Sequence, residues 1–187
     1  KHPEHLPKDL LADEKHTRLR GEKAYLATTV GGGCILGAAL CKGDDAKALT
    51  QGYGIFAEEA QDLDPTYQHN TVNIDGWAAT ARAWLTLFTQ VTLIQCFLHA
   101  FIKIRDRCKK GGSLFTEIST AVWDAYHAPT KRAFSQRIRR LREWAQTNLE
   151  PGVVREKVLA LCEKGPLFAK AYDHPDAYRT SNMVDRL

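Results

Sequence analysis

The sequence predicts an α/β fold with a five-stranded mixed sheet. Two observations carry this. Five strand-forming runs fall in the first hundred residues, in the order βββαβαβ, and after His99 nothing reads as a strand. The helical stretches between and after them carry apolar residues at helical spacing instead.

Taken in order, Lys8–Glu14 (KDLLADE) is a short apolar run that enters an acidic pair. Lys23–Val30 (KAYLATTV) is rich in strand formers, Gly31–Gly33 make a turn, and Cys34–Cys41 (CILGAALC) is a third run. These read as three consecutive antiparallel strands. Asp44–Asp45 can cap a helix over roughly 45–61, with Ala48, Leu49, Ile55, Phe56 and Ala60 as its apolar positions. Gly52 and Gly54 weaken that helix. Thr71–Asp75 (TVNID) is the fourth strand. The next helix is expected to place Trp77, Ala81, Trp84, Leu85 and Phe88 on one face, and Val91–Phe97 is the fifth strand.

Four helices are then expected, beginning with the basic stretch His99–Lys110, which Gly111–Gly112 close. Leu114–Tyr126 is the second. In the third, Thr130–Asn148, Phe134, Ile138, Leu141 and Ala145 form a continuous apolar stripe. The fourth, Pro151–Lys164, opens on a proline suited to a first turn. The tail 177–187 reads as a helix start, capped by Ser181 or Asn182.

With 187 residues the chain is long enough for one domain with a real core, and its ordinary apolar content excludes a disordered segment. No apolar run is long enough to span a membrane and no signal peptide is visible. Five scattered cysteines, an odd number, argue against a secreted disulfide framework and for a reducing compartment. Residues 1–98 carry 9 basic against 12 acidic side chains, and residues 99–187 carry 17 against 10. A basic half beside an acidic half points to a polyanion, most simply nucleic acid. A chain that starts at Lys1 and stops at Leu187 inside a helix-like segment reads as a fragment of a longer protein.

The element order is that of a ribonuclease H-like fold, in which the first and fourth strands are neighbours at the sheet centre and an acid on each points to one spot. Asp13 and Asp75 occupy those places, with Glu14 and Asp9 as rivals for the first. Close carboxylates repel each other and call for a cation. Their hard oxygens suit Mg²⁺ or Mn²⁺. Two such ions can hold the attacking and leaving oxygens of a phosphoryl transfer. Asp185 is the candidate third acid, with Asp173 or Asp176 next in line.

The stretches LLADEKHTRLRGEKAYLATTVGGGCILGA, TVNIDGWAATARAW, CFLH and TSNMVDRL resemble DDE/DDD-type transposases of bacterial insertion sequences, the broad group that includes the Mutator-like elements. Cys96 and His99 match the C-x-x-H signature of that group. Asn182–Arg186 matches its terminal N-x-x-[ED]-R segment, with Asp185 where Glu is commoner. The resemblance implies a cytoplasmic, nucleoid-associated bacterial enzyme that cuts DNA at transposon ends and joins them to target DNA. It implies a two-metal Mg²⁺ or Mn²⁺ site on Asp13, Asp75 and Asp185, His99 assisting, and a homo-oligomer in the active complex. It also implies a division into a core over 1–99, an all-helical insertion over 100–172, and a final segment over 173–187 that brings the third acid back. Two alternatives stay open, a nuclease that cuts without joining and a non-catalytic DNA-binding remnant.

Cys96 and His99 alone read first as a packing pair, a small buried cysteine beside a core histidine. Half of a zinc site is a second rival that lacks another pair, since Cys108 alone is not enough. Lys131, Arg132, Arg137, Arg139, Arg140 and Arg142 make the third of these helices a candidate phosphate-binding face. Trp123 and Trp144 read as core residues.

Overall fold

The computed structural model describes residues 6–108 and 112–182. The chain divides into two compact units, one formed by Lys1–Cys96 with Asp176–Leu187, the other by Phe97–Pro175.

The first unit is built on strands β1 (Asp9–Leu19), β2 (Glu22–Gly31), β3 (Cys34–Cys41), β4 (Thr71–Ile74) and β5 (Thr92–Gln95), with helices α1 (Ala46–Leu63) and α2 (Ala78–Leu87). The sheet order is β3-β2-β1-β4-β5. β1, β2 and β3 pair antiparallel, whereas β4 runs parallel to both β1 and β5. This order and these directions are those of the ribonuclease H-like fold. Both hairpins close through two residues with positive φ, Arg20–Gly21 and Gly32–Gly33. That is the geometry whose twist matches flanking strands.

Alternation assigns the faces of β1. Leu10 and Ala12 join the core with Val72 and Ile74 of β4 and with Leu49, Tyr53, Phe56 and Ala60 of α1. Leu11 and Asp13 point to the opposite face. Asp45 caps α1, accepting hydrogen bonds from the Lys47 and Ala48 amides at 2.9 and 3.1 Å, an arrangement worth about 1 kcal/mol. Gly52 does not weaken α1 as a lone helical glycine would. A Cβ there would strike Cys41 Sγ, so the glycine lets helix and sheet approach closely.

Two expected helix faces need correction. In α1, Ile55 is exposed, while Gly52, Tyr53 and Ala57 join the buried face. In α2 the buried residues are Thr80, Ala83 and Trp84, and both Trp77 and Leu85 are exposed. For Trp77 the cause is the start of α2. Gly76 takes a φ of +91°, so the helix begins only at Ala78 and Trp77 is left outside it.

The second unit is helical: α3 (Phe97–Arg105), α4 (Ser113–Tyr126), α5 (Lys131–Asn148), α6 (Val153–Glu163) and α7 (Gly165–Ala169), followed by a 3-10 turn over Lys170–Asp173. Phe134, Ile138, Leu141 and Ala145 of α5 are all buried in one apolar cluster with Phe97, Ile104, Ile118, Val122 and Leu161. Trp123 and Trp144 pack partly buried against it. Pro151 does not open α6, because Gly152 at φ +156° precedes a helix that starts at Val153. The helix expected from the tail, with Asp185, lies outside the described residues.

Candidate active site

The parallel register pairs Leu11 with Asn73. Continued by two residues, it sets Asp13 opposite Asp75, on the sheet face away from α1 and α2. Asp13 lies within β1, and Asp75 is the first residue past β4. Asp75 Oδ1 accepts a hydrogen bond from the Trp77 amide at 2.7 Å. This closes the turn that Gly76 makes. A Cβ on Gly76 would collide with the Gln95 amide, so positive φ and close packing both require glycine there.

Segment 176–182 belongs to the same unit as the acids. Asn73, on the acids' face of β4, donates from Nδ2 to the Tyr178 carbonyl at 2.8 Å. At the end of β5, buried Cys96 Sγ lies 3.4 Å from buried Ser181 Oγ. Cys96 therefore packs against segment 176–182.

Glu14 is the residue that sequence reasoning gave too little weight. Its carboxylate accepts from Tyr53 Oη of α1 at 2.6 Å and from Thr80 Oγ1 of α2 at 2.7 Å. Burial pushes its pKa up to about 7, the two hydroxyls pull it down, and the negative charges of Asp75 and Asp13 add to the rise. Three carboxyl groups thus share one electrostatic neighbourhood. Period-two alternation from Leu10 and Ala12 was the signal for the inward-facing Glu14.

The other described candidates belong to the helical unit. His99 is the third residue of α3, in the helical unit. Lys131, Arg132, Arg137, Arg139, Arg140 and Arg142 are on α5 in that unit. Three of these cations meet acids: Lys131 pairs with Asp173, Arg137 with Asp124 at 3.0 Å and Arg139 with Glu143 at 3.6 Å. The face is therefore less basic than its own helix suggests, since Asp124 and Asp173 come from neighbouring elements. Asp185 lies outside the described residues, and among those described no three His, Cys, Asp or Glu side chains gather as a metal cluster. The described cysteines are all free thiols, and no described helix is long and apolar enough to cross a membrane.

No family model and no curated protein matches the chain. Among solved structures, it is similar to a chain of the simian T-cell lymphotropic virus intasome in complex with a PP2A regulatory subunit. That likeness has 15% identity and a TM-score of 0.38, covering 78% of this chain and 50% of the other. It is also similar to the HTLV-2 integrase catalytic core domain in complex with magnesium, at 14% identity and a TM-score of 0.36, covering 83% of this chain and 97% of that one. The fold assignment above rests on strand order and direction.

Proposed function

We propose that the chain is the catalytic core of a DDE/DDD-type DNA transposase, which cuts a DNA strand at a transposon end and transfers it to target DNA. The observation that supports this reading is the Leu11–Asn73 pairing of parallel β1 and β4, two residues before Asp13 on one strand and Asp75 on the other, with Asn73 bonded to segment 176–182. The C-x-x-H and terminal-acid motifs give it its family. The donor set suits a hard divalent cation, since Asp13 and Asp75 offer carboxylate oxygens; their charges add to the rise that burial gives the pKa of Glu14. Asp13, Asp75 and Asp185 would hold Mg²⁺ or Mn²⁺, which when bound supplies Lewis-acid activation for phosphoryl transfer. The rigid sheet fixes the first two carboxylates, and the Asp75 turn aims the second. His99 contacts a DNA phosphate, and Arg132, Arg140 and Arg142 of α5, which have no ion-pair partner among the described residues, neutralise others. The active complex is a homo-oligomer on transposon-end DNA.

The test is a strand cleavage and strand-transfer assay on transposon-end DNA with Mn²⁺. Asp75→Asn should lower cleavage at least about 100-fold, in the range seen when a group that stabilises a transition-state charge is lost. Asp185→Glu should keep partial activity, and Asp185→Asn should lose it. Asp75→Asn cutting at the wild-type rate would sink the proposal. Cutting without joining would assign a nuclease on the same fold.

A further inference from the structure

The site leaves one part of the sheet unused. Pairing with β4 stops at Leu11, and β1 and β2 continue together to the turn at Arg20–Gly21. Residues 15–23 of this arm carry Lys15, Arg18, Arg20 and Lys23 against a single acid, Glu22, and all five side chains are exposed. Arg18 stands directly opposite Lys23 in the antiparallel register. Like charges so placed destabilise a sheet, and neither cation has an ion-pair partner among the described residues.

Two residues inward on the same face, His16 stands opposite Tyr25, their rings edge to face at 5.4 Å. Tyr25 lies 5.9 Å from Trp77 and is held by a 3.1 Å hydrogen bond from its hydroxyl to Asp44. Trp77 is 37% exposed, and its amide is bound to the Asp75 carboxylate. The cation pair and the aromatic cluster thus lie on the α1 side of the sheet, with Leu10, Ala12 and Glu14, and end on Trp77, whose amide is bound to the candidate catalytic acid at the end of β4.

We propose that this face binds the unpaired end of a DNA strand, with phosphates against Arg18 and Lys23 and a base stacked on Trp77. The assignment rests on the reading of the acids as a DNA-cutting site. Cations following a strand with rings that stack its bases are what single-stranded nucleic acid requires, because a base face is open to an indole only when unpaired. Bound phosphate would also relieve the Arg18–Lys23 repulsion. An acidic peptide would satisfy the cations and leave the rings unused.

The experiment is fluorescence anisotropy with a labelled single-stranded oligonucleotide and its duplex, in EDTA at low salt, where nothing is cut. The wild type should prefer the single strand. Arg18→Gln with Lys23→Gln should weaken binding about tenfold or more and flatten its dependence on salt. Trp77→Ala should lose about tenfold on the single strand and little on the duplex, with Trp77→Phe keeping most of the affinity. The double glutamine variant should melt at or above the wild-type temperature, since repulsion is removed. Unchanged binding in either variant, equal losses on duplex and single strand for Trp77→Ala, or a lowered melting point for the double glutamine variant would overturn the assignment. Because these measurements need no metal and no cutting, they can fail while cleavage succeeds, or succeed while cleavage fails.

Discussion

The sheet unit and the helical unit solve burial in different ways. In the helical unit the core is apolar throughout, from Phe97 to Ala169, and its charges pair at the surface through Lys131–Asp173, Arg137–Asp124 and Arg139–Glu143. In the sheet unit polar groups are buried inside. Among the described residues, the buried side-chain atoms without a hydrogen-bond partner belong to His69, Asn73, Trp84 and Gln95, all in the sheet unit. Leaving such a group unpaired costs about 1–3 kcal/mol. The helical unit is organised for stability. The sheet unit accepts buried polar and titratable groups, His69 in its aromatic core and Glu14 beside the carboxylates, and through them its stability depends on pH.

The largest effect that would sharpen this contrast is in the helical core. Phe134 is fully buried against Phe97 and Tyr172. Phe134→Ala should destabilise the helical unit by about 3–5 kcal/mol. The loss should be the same at pH 5 and pH 8, as urea unfolding at the two pH values would show. A loss that changes with pH would break the comparison.

The next effect belongs to the sheet unit and is read in metal-free buffer. Burial among Tyr67, Trp84 and Phe88 pushes the pKa of His69 down to about 4. The unfolded chain therefore binds a proton there first, and stability falls as pH drops from about 6.5 toward 4. Glu14, raised to about 7, behaves oppositely. The unfolded chain releases its proton first, so stability falls as pH rises from about 4.5 to 7. Each contributes about 3 kcal/mol over its window. Between about pH 4.5 and 6.5 the two slopes oppose and nearly cancel. His69→Phe should uncover the falling slope, and Glu14→Gln should uncover the rising one while keeping an acceptor for Tyr53 and Thr80. Denaturant melts across pH 4–8 check both, and identical pH profiles in the two variants would refute the pairing.

The smallest effect is at the surface of α5. Arg139 and Glu143 are exposed neighbours one helical turn apart. Arg139→Ala should change stability by no more than about 0.5 kcal/mol, a change visible only in low-salt melts.

Much of this arrangement was legible in the residues. The short apolar run Leu10–Ala12 entering an acidic pair marked β1, the apolar run into Asp75 marked β4, Asp45 marked a cap, and Phe134 to Ala145 marked the α5 stripe. These are local signals, each read within one element. What could not be read required two elements at once. Trp77, Leu85 and Ile55 have the right spacing for a core face, but the buried faces depend on packing against the sheet: Gly52 lets α1 approach Cys41 of β3, and the Gly76 turn leaves Trp77 outside α2. The burial of Glu14 depends on α1 and α2 together. The acids that pair with Lys131 and Arg137 come from 42 and 13 residues away in sequence. The roles given to Asp13, Asp75, Cys96 and His99 come from motif and topology together, and the account stands or falls on the two aspartates.

That pair is tested most directly by thermal melting with and without Mn²⁺. A cation that binds only the folded chain raises its melting temperature through mass action. Wild type should gain several degrees at millimolar Mn²⁺, and Asp13→Asn and Asp75→Asn should each lose most of that gain. Each of these two variants should also melt at or above wild type in EDTA, because a repelling charge is gone. If both variants respond to Mn²⁺ as the wild type does, Asp13 and Asp75 do not form the metal site, and the central claim is wrong.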